Sequence, residues 1–220
     1  MDWTAKINAY CERTDPSLWA EPLNAASNAA FLVAALVMAW RLRGSGLTLG
    51  WLLVAVLAVV GVSSTLWHTL AVGWTGAADS ASIGVFILIY LYAANRAYLG
   101  WPVWAAALGT LLAIPYLAAA GWLFDRLPFF AISSFYWPLV PLMLVYGWVR
   151  RGRRAETARG LAIAGGILTL SLAARSLDTP LCAAIPIGTH YFWHIFNGIL
   201  LGWVIEIYRR HMVAASEAGR

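Results

Sequence analysis

The sequence contains seven long stretches of apolar residues, and these restrict the chain to a lipid environment. Each stretch approaches the roughly 20 residues that an α-helix needs to cross the hydrocarbon core of a bilayer. They cover residues 23–42, 48–70, 78–97, 101–122, 129–149, 157–176 and 187–209. The connections between them are short, so we expect residues 1–220 to form one all-α membrane domain, a seven-transmembrane helix bundle.

The composition excludes an ordinary soluble domain. Only 11% of the residues are charged and 61% are hydrophobic, whereas soluble domains carry about 25% charged residues. A soluble protein must present a polar surface to water, and this chain has too few polar residues to do so. The 13 tryptophans and nine tyrosines suit a membrane protein, because their amphipathic rings favour the headgroup region.

The positive charges predict the orientation of the bundle. If the N-terminus is outside, eleven arginines lie on the inner side: Arg41, Arg43, Arg96, Arg150, Arg151, Arg153, Arg154, Arg159, Arg209, Arg210 and Arg220. Four basic residues then lie outside: Lys6, Arg13, Arg126 and Arg175. The positive-inside rule therefore favours an extracytoplasmic segment 1–22 and a cytoplasmic tail 211–220. This distribution also argues against nucleic acid as the partner of a chain with net charge +5.

The last apolar stretch opens with a histidine pair. His190 and His194 are four residues apart, so they share one helix face, and both rings can reach one ion. The HExxH motif of zinc proteases uses the same geometry. A pair of this kind also arises by chance, or as histidines that form hydrogen bonds within a bundle.

A second group of polar residues spans the second and third stretches. Ser64 and His68 are four residues apart near the end of one, and Asp79 follows near the start of the next. Ionisable residues inside membrane spans are costly and indicate function. Taken singly, His68 could be an interior histidine with satisfied hydrogen bonds, and Asp79 could be a helix N-cap.

The predicted topology brings these residues to one depth. With the N-terminus outside, the second span runs outward, while the third and seventh run inward. His68, Asp79, His190 and His194 then lie near the outer face. Three histidines with an open coordination position form the catalytic arrangement of zinc, and nitrogen ligands suit zinc better than calcium or magnesium. We therefore predict one zinc site.

Further polar residues lie at the start of the first span, on the same side. Glu21, Asn24 and Asn28 follow helical spacing, and buried amides in a bundle usually link helices through hydrogen bonds. Glu12 and Glu21 could supply oxygen ligands of the kind calcium prefers, although a solvated acidic loop would have the same composition.

The two cysteines, Cys11 and Cys182, both fall on the predicted outer side. An oxidising compartment permits a disulfide there, and this bond would tie the N-terminal segment over the site.

Together these residues resemble the alkaline ceramidase family, part of a superfamily of seven-helix membrane hydrolases that includes the adiponectin-type receptors. The matching pieces extend over nearly the whole chain. They are Tyr10-Cys11-Glu12, the run Glu21-Pro22-Leu23-Asn24-Ala25-Ala26-Ser27-Asn28, Ser64 with His68, then Asp79, Asp178, Cys182, and His190 with Trp193 and His194. The Glu21-Pro22-Leu23-Asn24 variant and the compactness of the chain look like those of bacterial relatives, which implies an inner membrane protein with its site near the periplasmic face.

The resemblance implies hydrolysis of the amide bond between a fatty acyl chain and a sphingoid base. The expected partner is thus a membrane lipid, ceramide or another N-acyl lipid, and the zinc ligands are His68, His190 and His194. Ser64 and Asp79 are implied to take part in catalysis. In the family's calcium site only the positions of Glu12 and Glu21 are matched, which makes Ca²⁺ a second expected cofactor.

The leading interpretation is a zinc-dependent lipid amidase, in which zinc lowers the pKa of a water molecule and Asp79 acts as general base. Ser64 would stabilise the oxyanion or orient the water. Asn24 and Asn197 are predicted to support the zinc ligands through hydrogen bonds. The alternative is a lipid receptor or sensor with a structural zinc, which has no use for an unligated acid beside the metal. A transporter fits less well, because transporters place ion sites near the bilayer centre.

Overall fold

The computed structural model describes residues 2–152 and 154–218. Nine helices form in this part of the chain: α1 Pro22–Ser27, α2 Ala29–Arg41, α3 Thr48–Leu70, α4 Gly73–Ala97, α5 Val103–Phe124, α6 Pro128–Ala131, α7 Leu139–Arg150, α8 Ala155–Leu181 and α9 His190–Ala218. An isolated antiparallel bridge joins Lys6 to Val72. Arg153 and Arg220, both counted above for the inner side, lie outside the described residues, as does the last part of the predicted tail.

Five segments are long and apolar enough to cross a membrane. They are the combined α1–α2 segment, α3, α4, α5 and α8. This confirms the predicted all-α fold and gives five candidate membrane-spanning segments. The other two predicted spans correspond to α7 and α9. The 12 residues of α7 give a helix of about 18 Å, shorter than the roughly 30 Å hydrocarbon core, so the count of seven stays a prediction.

The predicted span 129–149 is not one continuous helix, which corrects its boundaries. The chain leaves α6 after Ala131 and forms turns before α7 begins at Leu139. In these turns the backbone N–H of Tyr136 donates to the carbonyl oxygen of Ser133. Pro138, directly before α7, lacks an N–H and cannot extend a preceding helix. Pro138 therefore marks the start of α7, and the average hydropathy of the stretch does not show the turns that precede it.

The helices α3 and α4 form a tight antiparallel pair. The bounds of α3 agree with the predicted 48–70, but α4 begins at Gly73 and not at residue 78. Ala71 ends α3 in the left-handed conformation, with φ 48°, and only Val72 separates it from α4. Because α4 starts early, Asp79 lies in its second turn. The interpretation of Asp79 as a helix N-cap is therefore wrong.

The last helix, α9, is the centre of the bundle. It packs against α8, α2, α1, α3 and α4. The approach to α2 is close at Gly198, where an added Cβ would lie 2.8 Å from Ala30. This glycine lets the start of α2 lie against the turn of α9 that carries the histidine pair. The fully buried side chains of Leu57, Leu172 and Ile205 fill the interior below.

The residues predicted as a cytoplasmic tail continue α9 through Ala218. His211, for which the sequence indicated no role, is buried there. Its Nε2 lies 3.0 Å from the carbonyl oxygen of Ala97, and its Nδ1 lies 2.9 Å from the hydroxyl of Thr157. Apolar content falls at Arg209 and Arg210, but a helix can extend beyond the segment that a membrane would cover, so hydropathy placed the end of α9 too early.

Candidate metal centre

The three predicted metal ligands lie together inside the bundle. His68 is in the last turn of α3, and His190 and His194 are one turn apart at the start of α9. Each residue is at most 2% exposed, and one ring nitrogen from each lies within 4.8 Å of the other two. Nε2 of His68, Nε2 of His194 and Nδ1 of His190 are buried without a hydrogen-bond partner. Buried polar atoms are normally paired, so this buried triad could bind a metal ion.

Nδ1 of His68, the ring nitrogen that does not face the triad, contacts a carboxylate. This atom lies 2.6 Å from Oε2 of Glu21. A carboxylate only accepts hydrogen bonds, so Nδ1 carries the proton and Nε2 keeps its lone pair. Carboxylate–histidine pairs of this kind orient histidine ligands in metal sites. The structure therefore prepares Nε2 of His68 as a ligand atom.

A serine hydroxyl likewise fixes the proton of His194 on Nδ1. The Ser27 hydroxyl donates to the carbonyl oxygen of Asn24 at 2.8 Å and lies 2.7 Å from Nδ1 of His194. Because its single proton is used for Asn24, Ser27 accepts the hydrogen bond from His194. The proton of His194 is then on Nδ1, and the lone pair on Nε2 faces the triad.

The carboxylate of Glu21 is itself held by a buried arginine. Nε of Arg13 lies 2.5 Å from Oε1 of Glu21, and the side-chain amide of Asn24 donates to Oε2 at 3.1 Å. Burial raises the pKa of Glu21, but its hydrogen bonds with His68, Arg13 and Asn24 outweigh burial and hold the pKa below its ordinary value. Arg13 also donates to the backbone carbonyl of His68 at 3.0 Å. Glu21 is therefore an ionised partner for His68.

Glu21→Gln is expected to weaken metal binding by about 10–100-fold, the usual cost of losing such a partner. The glutamine keeps the shape of the side chain but loses the charge that favours a proton on Nδ1 of His68. Glu12→Gln is the matched control, because Glu12 contacts backbone N–H groups and not a histidine. The measurement is metal competition against a calibrated chelator. Equal affinities for the two variants would contradict a specific role for Glu21.

A tyrosine from the N-terminal segment closes one side of the triad. The ring of Tyr10 stacks on His190 with 3.9 Å between ring centroids, and it lies 5.0 Å from the ring of His68. Nε1 of Trp67 donates to the Tyr10 hydroxyl at 3.1 Å. The segment before α1 thus packs directly on the metal ligands.

Asp178 and a disulfide fasten this segment. One carboxylate oxygen of Asp178 accepts from the backbone N–H groups of Thr189 and His190 at 2.7 and 2.9 Å. The other oxygen accepts from the N–H of Cys11 at 3.2 Å. Cys11 and Cys182 form a disulfide, with Cα atoms 5.2 Å apart. Asp178 therefore caps the start of α9 and links this helix to the segment before α1 that carries Cys11. We call this segment, residues 2–21, the cover of the site.

The two predicted catalytic residues lie beside the triad. Ser64 is one turn before His68 and is 3% exposed. It lies next to the carboxyl group of Asp79, and both His68 and Arg175 are within electrostatic reach of that carboxyl group. Oδ1 of Asp79 is buried and has no hydrogen-bond partner. An unpaired carboxylate oxygen at this position is available for a substrate or a water molecule.

The two predicted calcium ligands, Glu12 and Glu21, both make hydrogen bonds within the protein. Glu12 accepts hydrogen bonds from the N–H groups of Leu23 and Asn24 at 2.6 and 2.8 Å, so it neutralises the start of α1. Glu21 is occupied by Arg13 and His68. Within residues 2–152 and 154–218, the histidine triad is the one group of three or more potential ligand side chains that converges. The assignment of Glu12 and Glu21 as calcium ligands stays a prediction.

The two predicted supporting asparagines differ in their surroundings. Asn24 donates to Glu21, as described, and so acts on His68 through that carboxylate. Asn197 instead donates to the hydroxyl of Ser171 at 2.9 Å. One turn separates Asn197 from His194 along α9, but its side chain points towards α8. It lines the cavity below the triad and does not hold a ligand.

An apolar cavity extends inward from the level of the histidines. Its walls include Phe31, Tyr136 and Trp193 at one end, and Tyr98 and Val204 at the other. Trp193 and Val204 are eleven residues apart on α9, so the cavity follows the helix for about 16 Å. The lining of the cavity is almost wholly apolar, as the surroundings of a bound hydrocarbon chain are.

Sequence reasoning missed several residues that build the site. Arg13 was counted only as an outer charge, although it is 4% exposed and holds Glu21. Ser27 was noted beside the asparagines, but its contact with His194 was not predicted. A serine five residues after the proline that starts a helix is not a distinctive sequence pattern. A buried Arg13 paired with Glu21 could have been suspected, because both are ionisable residues in a largely apolar chain.

The comparisons with known proteins give no family. A scan of the sequence against protein-family models matches none of them, and a search of curated proteins finds no match. The resemblance to alkaline ceramidases therefore stays a prediction that rests on the residues quoted for it.

Proposed function

We propose that this protein is a zinc-dependent lipid amidase, similar to ceramidases, that hydrolyses the amide bond of an N-acyl lipid. The observation that carries the proposal is a set of unpaired buried atoms at one end of an apolar cavity. Ring nitrogens of three histidines and Oδ1 of Asp79 lack hydrogen-bond partners, and the ring of Trp193, in the cavity wall, lies 6.4 Å from the ring of His190. Such an end combines potential metal ligands, a free carboxylate and space for an acyl chain.

The donor set fits zinc. Three neutral imidazoles with a free coordination position match catalytic zinc sites, and His68 and His194 each have a partner on Nδ1 that leaves Nε2 free. When bound there, zinc would polarise the amide carbonyl and lower the pKa of a water molecule. The protein supplies the orientation of the ligands through Glu21 and Ser27.

Asp79 is the proposed general base. Its carboxylate would accept a proton from the attacking water and deliver it to the amine nitrogen when the C–N bond breaks. Ser64, between Asp79 and His68, can donate its hydroxyl hydrogen to the oxygen that gains negative charge. The acyl product keeps the hydroxyl of the water, and the amine leaves with the proton.

The receptor alternative rests on the same cavity. A lipid held there without cleavage could change helix packing, with the metal ion in a structural role. The unpaired Oδ1 of Asp79 favours the hydrolase, because a structural site gains nothing from a costly unpaired carboxylate. The disulfide and Asp178 would serve either function, since both fix the cover of the site.

The proposed topology has seven spans, with the N-terminus outside and the C-terminus inside a bacterial inner membrane. Support comes from the arginines of the α7–α8 connection and from the disulfide between Cys11 and Cys182, since an oxidising compartment favours disulfides. The site would then face the periplasm. We expect a fluorescent reporter at the C-terminus to be active inside cells and a phosphatase reporter there to be inactive. The reverse pattern would contradict this orientation.

The function is tested by incubating the purified, zinc-loaded protein with a panel of N-acyl lipids and identifying the products by mass spectrometry. We expect a free fatty acid and a free amine in equal amounts, and loss of both products after zinc is chelated. Retention of intact lipid in the cavity, with no product from any member of the panel, would favour the receptor.

A further inference from the structure

Arg175 is a half-buried cation without an anionic partner among the described residues. It lies on α8, its Nε is buried, and this atom has no hydrogen-bond partner. None of the ion pairs among the described residues includes it. By contrast, Arg13 is paired with Glu21 and Arg41 with Glu206. An unpaired charge in an apolar bundle is costly and indicates a function.

Two aromatic rings of the cavity wall lie beside this guanidinium. Cζ of Arg175 lies 5.0 Å from the ring centroid of Trp193 and 5.6 Å from that of Tyr136. Both rings belong to the wall of the apolar cavity. Contact between a guanidinium and ring faces is favourable, but it leaves the N–H groups free to bind an anion.

The same guanidinium is close to the candidate reaction centre. Its charge acts on the carboxyl group of Asp79 and on the rings of His190 and His194. Arg175 therefore lies where the apolar cavity meets the polar residues. A lipid with its acyl chain in the cavity would present its amide to the triad and its headgroup near Arg175.

The chemistry of arginine indicates which class of lipid headgroup this site would bind. A guanidinium is a rigid fork that matches a carboxylate and remains charged inside a protein. In an N-acyl amino acid, the carboxylate is attached to the carbon next to the amide nitrogen, so it lies close to the bond that is cleaved. A sphingoid base has hydroxyl groups at that distance and no anion to pair with Arg175.

We propose that Arg175 binds the carboxylate of an N-acyl amino acid and that such anionic lipids are the preferred substrates. This inference rests on the proposed amidase function. In the reaction, water adds its hydroxyl to the acyl carbon, and the electron pair of the broken C–N bond stays on nitrogen. The nitrogen takes up the proton from Asp79, so the products are a fatty acid and a free amino acid, and no redox partner is needed.

The test compares two substrates that share acyl chain and amide: N-oleoylglycine, which is anionic, and N-oleoylethanolamine, which is neutral. We expect the wild-type kcat/KM to be at least about 10-fold higher for the anion, the scale of one charged hydrogen bond. Arg175→Gln should remove this preference by raising KM for N-oleoylglycine far more than KM for the neutral lipid, so that the ratio of the two kcat/KM values falls to about one. Arg175→Lys should restore part of it. Arg126→Gln is the control, since Arg126 also lies over a tryptophan but is exposed.

Equilibrium binding of the same lipids and of oleate to the zinc-loaded protein separates the remaining cases. We expect Arg175→Gln to weaken the binding of N-oleoylglycine by about 10-fold, the scale of one charged hydrogen bond. The affinity for oleate should fall less. Hydrolysis of both substrates at equal rates, unchanged by Arg175→Gln, would overturn this inference and leave the amidase proposal standing. If no lipid is hydrolysed, the amidase proposal fails, and unchanged binding of N-oleoylglycine to the variant would overturn the role of Arg175 as well. An effect on oleate alone would also overturn it, because Arg175 would then bind the fatty acid product.

Discussion

Replacing His68 by alanine is expected to remove the metal ion and abolish hydrolysis together. His68 supplies one of three ring nitrogens, and its Nε2 is oriented by Glu21. Two histidines one turn apart on α9 cannot complete the site without the ligand from α3. We expect metal affinity to fall by more than about 100-fold, beyond the usual loss when a partner of a ligand is removed. Turnover should fall below detection.

The measurement is metal content of the purified protein by mass spectrometry, with lipid hydrolysis in the same preparation. His211→Gln is the matched control, because His211 is also buried but lies far along α9 from the triad and contacts Thr157 and Ala97. The control should keep one metal ion per chain. A His68→Ala protein that keeps both stoichiometric zinc and full turnover would refute the site.

Replacing Asp79 by asparagine should also abolish turnover, but the protein should keep its metal ion. Asparagine has nearly the same shape, but it cannot accept the proton of the attacking water. General base catalysis typically contributes about 10²–10⁴-fold, so we expect kcat to fall by at least about 100-fold. Asp125→Asn, in an exposed turn after α5, is the control and should leave kcat unchanged.

Two outcomes of the Asp79→Asn experiment would change the mechanism. If the variant loses its metal ion, Asp79 is a fourth ligand and not a base. If it keeps both metal and wild-type kcat, the proton must be accepted by another group. The role of Ser64, whose hydroxyl lies beside Asp79, is tested separately. If Ser64 stabilises the oxyanion, Ser64→Ala should lower kcat and keep the metal ion.

The residues of the triad could be predicted because membrane helices alternate in direction. A histidine at the end of α3 and a pair at the start of α9 must reach the same end of the bundle if the number of crossings between them is even. Charged and polar residues are scarce in this chain, so each one inside an apolar stretch is informative. For the same reason His68, His190 and His194 were distinguishable from His211.

The helix boundaries were harder to predict. Hydropathy indicates which residues are apolar enough to lie in lipid, but it does not indicate where the backbone hydrogen bonds of a helix begin and end. Polar and small residues at Gly73–Ala78 continue α4 without difficulty, so Asp79 lies inside the helix. Pro138 interrupts a stretch whose average hydropathy is high. The partners of the metal ligands could not be predicted either, since Glu21 reaches His68 across 47 positions of sequence and nothing local specifies that contact.

The most direct test of the metal centre is anomalous X-ray scattering from crystals of the zinc-loaded protein, recorded on both sides of the zinc absorption edge. We expect one strong peak, enclosed by Nε2 of His68, Nε2 of His194 and a ring nitrogen of His190, at about 2.0–2.1 Å from each. A zinc peak elsewhere in the chain, with the three rings hydrogen-bonded to water alone, would contradict the account.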